Sequence, residues 1–149
     1  MNNNDISIKI ENLSCGLVKE LVNTLDEQFA KRLQQVVNLD DYSIKLSNNA
    51  SFVVAVCGCE YVGMIAYYFN ENKREFYIPY LCVQSSYRKL GVADLMMNKI
   101  CFEADKKGYN ISLEVRKDNV SAIKLYEKHG FKACDENDIK ICMIKCSSC

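Results

Sequence analysis

The sequence has 149 residues, of which 49% are hydrophobic and 26% charged, and its 19 basic and 19 acidic residues give a formal net charge of +0. This length suffices for one domain with a sizeable core, and we expect a single domain over residues 1–149. The balanced charge argues against a nucleic-acid-binding surface, which needs a basic excess. The chain lacks the run of about 18 apolar residues that a membrane span requires. Its polar start, Met1–Asp5, is unlike a signal peptide, so we expect a cytoplasmic protein.

Nine cysteines is a high and odd number for this length. Without an export signal, the ordinary interpretation is that they are reduced thiols. Cys146 and Cys149 have the spacing of a ligand pair, as do Cys57 and Cys59, yet the chain has a single histidine. We therefore predict no metal site.

The N-terminal part begins with an alternating segment, residues 6–10, which predicts a strand. Ser14 is a candidate cap for a helix that reaches Leu25. Apolar spacing favours a second helix over residues 26–37. Residues 38–50 are rich in Asn, Asp and Ser, and we expect a polar loop there around a short turn.

Three consecutive strands are predicted next, over residues 51–57, 61–69 and 76–83, and Gly58 lies in a hairpin turn between the first two. Pro79 falls inside the third strand, where it cannot donate a ladder hydrogen bond. Because proline in sheets is confined to edges and bulges, Pro79 indicates a break in the pairing.

The stretch from Leu81 to Ala93 organises the rest of the chain. An apolar strand ends at Val83, a basic turn follows, and Gly91 opens a helix that runs to about Gly108. The first N–H groups of a helix and its dipole favour an anion, Arg88 and Lys89 add positive charge, and Gly91 removes a Cβ. This combination is typical of a phosphate-binding turn, and also of an ordinary strand–helix connection.

Downstream, residues 110–116 predict a strand parallel to the third, because a helix connects the two. A helix then starts at Asn119 and ends at Gly130. Residues 133–136 and 139–145 predict a final hairpin.

Two motifs in this order resemble the GNAT superfamily of acyl-CoA-dependent N-acetyltransferases. They are the Arg88-x-x-Gly91-x-Ala93 turn and the Asn119-x-x-Ala122-x-x-Leu125-Tyr126 helix. Together they cover about residues 76–131, and their spacing is most similar to that of the ribosomal-protein-alanine N-acetyltransferases. The resemblance implies an α/β (α+β) fold. Its central sheet is mixed and mostly antiparallel, with six to seven strands and a splayed central pair, and about four helices flank it.

The resemblance also implies how acetyl-CoA, the cosubstrate, is bound. The splayed strand offers backbone groups to the pantetheine arm and the thioester oxygen at Leu81, Cys82 and Val83. The pyrophosphate lies on the turn formed by Arg88, Lys89, Leu90, Gly91, Val92 and Ala93. Asn119 contacts the pantetheine and Tyr126 protonates the departing CoA sulfur. A core aromatic at Tyr126 and a helix N-cap at Asn119 are the structural alternatives.

The catalytic base is less defined by the sequence. Some GNAT enzymes have a Glu on the strand before the bulge, where this chain has Tyr77, with Glu75 two residues earlier. Glu114 matches the Glu of the ribosomal-protein-alanine enzymes. Its alternative role is a surface Glu paired with Arg116 or a lysine, and water or Glu75 is the alternative base. Candidate acceptor contacts are Phe29, Arg32 and Tyr42, each of which also fits plain packing.

The sequence therefore predicts an N-acetyltransferase that transfers an acetyl group from acetyl-CoA to a primary amine by direct attack. The acceptor is a small molecule, a sugar amine or a protein N-terminus. The alternatives are a non-catalytic acyl-CoA-binding module and, less favoured, another nucleotide-binding α/β domain. Expected partners are acetyl-CoA and the amine acceptor, with no nucleic acid, no membrane and no metal, and a homodimer is left open.

Overall fold

The computed structural model describes residues 5–25 and 38–147. Within these ranges the chain forms one seven-stranded sheet. The strands are β1 (Ile6–Glu11), β2 (Ser51–Cys57), β3 (Glu60–Asn70), β4 (Glu75–Val83), β5 (Asn110–Arg116), β6 (Lys132–Glu136) and β7 (Lys140–Lys145). The described α-helices are α1 (Cys15–Leu25), α2 (Leu39–Asn49), α3 (Val92–Lys107) and α4 (Val120–Lys128).

The sheet has the strand order β1-β2-β3-β4-β5-β7-β6, and β4 and β5 run parallel while β1/β2, β5/β7 and β6/β7 are antiparallel. The predicted mixed, mostly antiparallel sheet is confirmed, and the described residues contain seven strands and four α-helices, as predicted. The chain divides into two compact units, one comprising the described part of residues 1–66 with Tyr80–Met96, the other Tyr67–Pro79 with Met97 onward.

In the first unit, β1 pairs with β2 from Ile6↔Cys57 to Glu11↔Phe52. The Ser14 hydroxyl accepts from the N–H of Leu17 at 3.2 Å, which confirms the predicted cap of α1. α1 buries its apolar stripe, and the core of the unit is made of fully buried side chains from helices and strands. These include Val18, Val22, Leu46, Phe52, Met64, Ile65 and Met96.

The prediction of a loop over residues 38–50 is wrong, because Leu39–Asn49 forms the helix α2. Asn38 caps it by accepting from the N–H groups of Asp40 at 2.7 Å and Asp41 at 3.3 Å. The two carboxylates lie in the first turn, where the helix dipole favours negative charge. Leu39 and Leu46, seven residues apart on the helix, are both buried. Their packing outweighs the low helix propensity of the Asn and Ser residues. Residues 26–37, where a second helix was predicted, lie outside the described residues.

In the second unit, β4 and β5 pair in parallel from Glu75↔Asn110 to Ile78↔Leu113. Both strands continue past this point, β4 to Val83 and β5 to Arg116. Among the described residues the β4–β5 register thus ends immediately before Pro79, as expected for a proline that interrupts a ladder and for a splayed pair.

β7 continues the sheet on the other side of β5, from Ile111↔Lys145 to Arg116↔Lys140. The core of this unit includes Phe76, Met97, Ile100, Ile111 and Leu113. Among the helices that the structure describes, none is both long and apolar enough to cross a membrane.

Candidate active site

The connection from β4 to α3 forms a tight basic turn. A single 3₁₀ turn, Ser85–Tyr87, follows the strand. Lys89 and Gly91 then adopt positive φ angles of 64° and 84° before α3 begins at Val92. Left-handed residues in a turn can gather successive backbone N–H groups into an anion-binding nest. The positive φ angles of Lys89 and Gly91 are compatible with such a nest, and the pyrophosphate role of the turn stays a prediction.

Some side chains of this turn contact the rest of the protein and others are exposed to solvent. Arg88 donates from Nε to the carbonyl oxygen of Val83 at 3.1 Å, which ties the turn to the end of β4. Lys89 is exposed and Leu90 is half-buried, whereas Val92 is 1% exposed. Val92 can therefore serve a ligand only through its backbone, while Arg88 and Lys89 supply the positive charge.

Gly63 on β3 sets how closely the first turns of α3 approach the sheet. A Cβ at Gly63 would lie 2.9 Å from Met96 Cε and 3.2 Å from Val92 Cγ1. Real Cβ atoms essentially never lie within 3.0 Å of a neighbour, so only a glycine at this position allows α3 to pack this closely on β3. Sequence reasoning missed this residue, because an isolated glycine in a strand only signals a close approach without saying to what.

The last residues of β4 are well packed. Cys82 and Val83 are buried and Leu81 is half-buried. Gln84 follows, and its N–H donates to the carbonyl oxygen of Val62 at 2.8 Å. The side-chain oxygen Oε1 of Gln84 is buried and has no hydrogen-bond partner among the described residues. An unpaired buried amide oxygen is costly, so a donor from a ligand would stabilise this residue. Nothing in the sequence pattern singled out Gln84.

The second motif lies on and before α4. Asn119 caps the helix by accepting at Oδ1 from the Ala122 N–H at 3.3 Å. Tyr126, seven residues later, is 8% exposed and its ring packs on that of Phe131 at a centroid distance of 5.7 Å. Burial raises the pKa of Tyr126 from its ordinary 10.0 to about 12. Tyr126 is therefore a buried phenol that stays protonated, and both structural alternatives named for these residues hold in the structure.

Glu114 lies on β5 opposite Cys142 in the β5–β7 register. Its carboxylate is 50% exposed and lies 3.8 Å from Lys140 Nζ, which makes it the lysine-paired surface Glu of the structural alternative. Exposed pairs of this kind contribute little stability, about 0–1 kcal/mol. The carboxylate of Glu114 is thus accessible from solvent.

Tyr77 on β4 lies within the electrostatic reach of Glu114. Burial is the first cause that raises the pKa of Tyr77, followed by the negative charge of Glu114, with smaller effects from Cys142 and Tyr68. Glu75, the alternative base, instead accepts a short hydrogen bond from the hydroxyl of Ser112, which is 8% exposed. Of the two carboxylates, Glu75 is held by a neighbour and Glu114 is the more accessible.

Two concave surfaces border these residues within the second unit. A groove of about 600 Å³ runs along the end of β3, the following turn and Tyr77, and Tyr68 lines it. A smaller cavity of about 130 Å³ is lined by Glu114, Asp135, Glu136, Asn137, Lys140 and Cys142. Tyr68 and Lys140 were not among the predicted site residues. Each is a single polar residue on its strand, and neither belongs to a recognisable sequence motif.

The acceptor contacts predicted from the sequence are only partly described. Tyr42 lies on α2 and is half-buried, while Phe29 and Arg32 fall outside the described residues. Among the residues described, no group of three or more His, Cys, Asp or Glu side chains is arranged to hold a metal ion.

A comparison with protein-family models identifies the family of this chain. The model described as the acetyltransferase (GNAT) family matches residues 18–131. The chain belongs to the GNAT family. The matched range contains both motifs, the basic turn before α3 and the Asn119–Tyr126 segment, so the resemblance inferred from the sequence is confirmed.

Two named GNAT relatives are similar over most of the chain. A probable N-acetyltransferase, san, of Drosophila melanogaster is 31% identical in an alignment of 121 residues, and the match covers 71% of this chain and 66% of that protein. N-alpha-acetyltransferase 50 of Danio rerio is 32% identical in an alignment of 111 residues, and the match covers 68% of this chain and 66% of that protein. The chain thus spans slightly less than two thirds of the length of each relative.

A solved GNAT structure supports the fold. The PaiA N-acetyltransferase of Thermoplasma acidophilum, in complex with coenzyme A, superposes with a TM-score of 0.74 at 19% identity and covers 94% of this chain and 99% of its own. At this identity the likeness concerns the fold, which is the GNAT fold that the two motifs predicted.

Proposed function

We propose that this GNAT chain is an acyl-CoA-dependent N-acetyltransferase that transfers the acetyl group of acetyl-CoA to a primary amine by direct attack. The observation that carries the proposal is the turn before α3, where Lys89 and Gly91 are left-handed and Arg88 is anchored to Val83. This turn accompanies a buried phenol at Tyr126, in a chain whose family is defined by acetyl transfer.

The pyrophosphate of acetyl-CoA binds the backbone N–H groups of Leu90, Gly91, Val92 and Ala93 and the charge of Arg88 and Lys89. The helix dipole of α3 favours the same anion. Leu81, Cys82 and Val83 bind the pantetheine arm and the thioester oxygen through their backbone, because the β4–β5 ladder ends before them. Coenzyme A bound to the Thermoplasma acidophilum relative supports the choice of ligand.

Tyr126 acts on the leaving sulfur. A thiol of ordinary pKa near 8.5 is a much stronger acid than a phenol of pKa about 12, so complete proton transfer to the thiolate is uphill. The useful contribution of Tyr126 is therefore a hydrogen bond that strengthens as negative charge develops on the sulfur. Asn119 contacts the pantetheine through its amide, while its Oδ1 keeps the N-terminus of α4 capped.

Glu114 is the proposed base that removes the proton from the attacking amine. Its carboxylate is accessible and its ion pair with Lys140 is weak. A carboxylate is a weak base, so it is matched to an amine of which about a tenth or more is neutral near pH 7. An α-amine, with a pKa of about 7.7–8.0, meets this condition, whereas the lysine side chain at about 10.4 does not.

The acceptor is accordingly a protein N-terminus, a sugar amine or another small amine of low pKa. The name of the Danio rerio relative, an N-alpha-acetyltransferase, supports the first of these. The groove lined by Tyr68 and Tyr77 has the size for several residues of an acceptor.

The test is turnover of acetyl-CoA across a panel of amines, with acetyl-CoA binding measured in parallel. The panel contains peptides with a free α-amine and blocked lysines, the same peptides with a blocked α-amine and free lysines, and an amino sugar. The proposal predicts release of CoA with the α-amine or sugar acceptors and little with the lysines. Tight binding of acetyl-CoA with no acetylated product from any amine would instead identify a non-catalytic acyl-CoA-binding module.

Three further expectations from the sequence stay predictions. They are the single-domain organisation over residues 1–149, the cytoplasmic location and the homodimer. Gel filtration with light scattering measures the last of these.

A further inference from the structure

A β-bulge at the end of the sheet brings two cysteines together. The β6–β7 register shifts between Ala133↔Met143 and Asp135↔Cys142, so Cys134 is the additional residue of β6. In a bulge, two residues of one strand oppose a single residue of the other. Cys134 and Asp135 therefore both oppose Cys142.

The two thiols are in direct contact. Cys134 Sγ lies 3.3 Å from Cys142 Sγ and 3.4 Å from the carbonyl oxygen of Cys142. The two sulfur atoms of a disulfide bond lie about 2.05 Å apart. Each sulfur atom therefore needs to move by less than about 1 Å toward the other to form the bond. Cys134 is exposed, and Cys142 is half-buried beneath it.

We propose that Cys134 and Cys142 are a reversible thiol–disulfide pair, which a small-molecule disulfide such as oxidised glutathione converts into an intrachain disulfide. The Cys134 thiolate attacks one sulfur of oxidised glutathione, and one glutathione thiolate leaves. The Cys142 thiolate then attacks Cys134 Sγ and expels the second glutathione thiolate. The two protein thiols lose two protons and two electrons, and oxidised glutathione is reduced to two molecules of glutathione.

Exposure fixes the order of these steps. Cys134 is accessible to the oxidant and reacts first, and Cys142 resolves the mixed disulfide. The pKa of Cys142 is raised to about 11, first by its hydrogen bond with Cys134, then by burial and by the negative charges of Cys134, Glu114 and Asp135. Because the thiolate is the nucleophile, closure of the disulfide becomes faster as the pH rises toward this value.

The position of the pair connects it to Glu114, the proposed base that meets the acceptor amine. Cys142 is the register partner of Glu114, and both residues line the cavity of about 130 Å³ together with Asp135 and Lys140. A disulfide bond between β6 and β7 fixes one wall of this cavity. It also prevents the two strands from moving relative to each other at the bulge. This second part rests on the proposed function and predicts that the disulfide raises the KM of the amine acceptor several-fold and leaves the KM of acetyl-CoA unchanged.

The disulfide is tested by peptide mapping of the folded chain. Fully reduced protein is incubated with a series of oxidised-to-reduced glutathione ratios, alkylated and digested with trypsin. Cleavage after Lys132, Lys140 and Lys145 leaves Cys134 and Cys142 on separate peptides, so the disulfide appears as one linked peptide that dithiothreitol separates. The link is lost in Cys134→Ser and in Cys142→Ser, and it persists in Cys15→Ser, a matched control at an exposed cysteine on α1.

Melting curves show that each variant is folded before it is oxidised. Glutathione retained on Cys134 without any linked peptide, or a link that forms only in urea, would overturn the proposal. Scrambled links that involve Cys15 or Cys59 as often as Cys134 would overturn it as well.

The acceptor part has its own measurement. Oxidised wild-type protein is predicted to show the raised acceptor KM, dithiothreitol is predicted to reverse it, and Cys134→Ser is predicted to be insensitive to both treatments. A linked chain with an unchanged acceptor KM overturns the connection to the acceptor side. If reduced protein acetylates no amine, the proposed function fails, while peptide mapping still decides whether the thiol pair exists.

Discussion

Burial determines what Tyr126 can contribute. The phenol is 8% exposed and burial raises its pKa to about 12, so it is protonated near neutral pH. A buried hydroxyl gains most from a partner that becomes negatively charged during the reaction, because the low dielectric strengthens that interaction. The same burial makes Tyr126 a core residue, so substitutions must preserve the ring.

Replacing Tyr126 with Phe keeps the ring and removes the hydroxyl. We expect the single-turnover rate to fall by about 10²-fold, the low end for loss of one hydrogen-bond donor to developing negative charge, because CoA is a good leaving group. The KM for acetyl-CoA and the melting temperature should change little. The wild-type rate should show no alkaline decline near pH 10.0, since the pKa of Tyr126 is raised from 10.0 to about 12. A Tyr126→Phe rate equal to wild type would make Tyr126 a packing residue only.

Glu114 is the second residue with a proposed chemical role, and its replacement by Gln tests that role. The ion pair with Lys140 is exposed, so its loss should leave stability almost unchanged. We expect kcat to fall by about 10²-fold or more with an α-amine acceptor, and to recover partly as rising pH deprotonates the amine. Glu127→Gln, at an exposed Glu on α4, is the matched control. Equal pH profiles for Glu114→Gln and wild type would move the base to Glu75 or to water.

At the scale of elements, local signals predicted most of the chain. The alternation of residues 6–10 predicted β1 and an apolar run predicted β2, while the Ser14 cap and the Asn119 motif predicted the starts of α1 and α4. The α2 helix was missed because its Asn, Asp and Ser residues favour turns locally, and only packing of Leu39 and Leu46 reveals it. Gly63 and Gln84 could not be predicted, since the contact at Gly63 and the buried Oε1 of Gln84 depend on neighbours distant in sequence.

The basic turn before α3 is tested by Gly91→Glu against Gly58→Glu. Both glycines have positive φ, 84° and 63°, so each substitution should cost a similar strain of about 1–2 kcal/mol. Only the Gly91 variant adds bulk and negative charge at the proposed pyrophosphate site. We therefore expect calorimetry to detect acetyl-CoA binding to Gly58→Glu and none to folded Gly91→Glu. Equal affinities would mean that the phosphates bind elsewhere.

The contact of α3 with β3 is tested at Gly63. In Gly63→Ala the new Cβ already lies 2.9 Å from the flexible end of Met96 and 3.2 Å from Val92 Cγ1, and Gly63→Val adds two further methyl groups in the same space. We expect the valine variant to lose about 1–3 kcal/mol through overpacking and to bind acetyl-CoA more weakly, because the basic turn is displaced. Gly16→Val, where a Cβ meets nothing within 4 Å, is the control. Wild-type affinity in folded Gly63→Val would show that the turn does not depend on this contact.

For the whole molecule, the family match extends over residues 18–131, and the two motifs that indicated the family could be recognised from the sequence alone. The acceptor could not be, because the residues proposed to contact it, Tyr68 and Tyr77, lie on different strands and line one groove only after folding. The chain spans 66% of the length of the two named relatives, so its acceptor is to be measured on this chain itself.

The central claim is that this GNAT chain transfers an acetyl group and does not merely bind its donor. A single-turnover experiment tests it most directly, with enzyme in excess over acetyl-CoA and a saturating peptide that carries a free α-amine, because slow product release then cannot hide the chemical step. We predict one acetylated peptide and one free CoA thiol for each acetyl-CoA, at a rate that Tyr126→Phe and Glu114→Gln both lower. Acetyl-CoA that binds and remains intact with every amine of the panel would contradict the account.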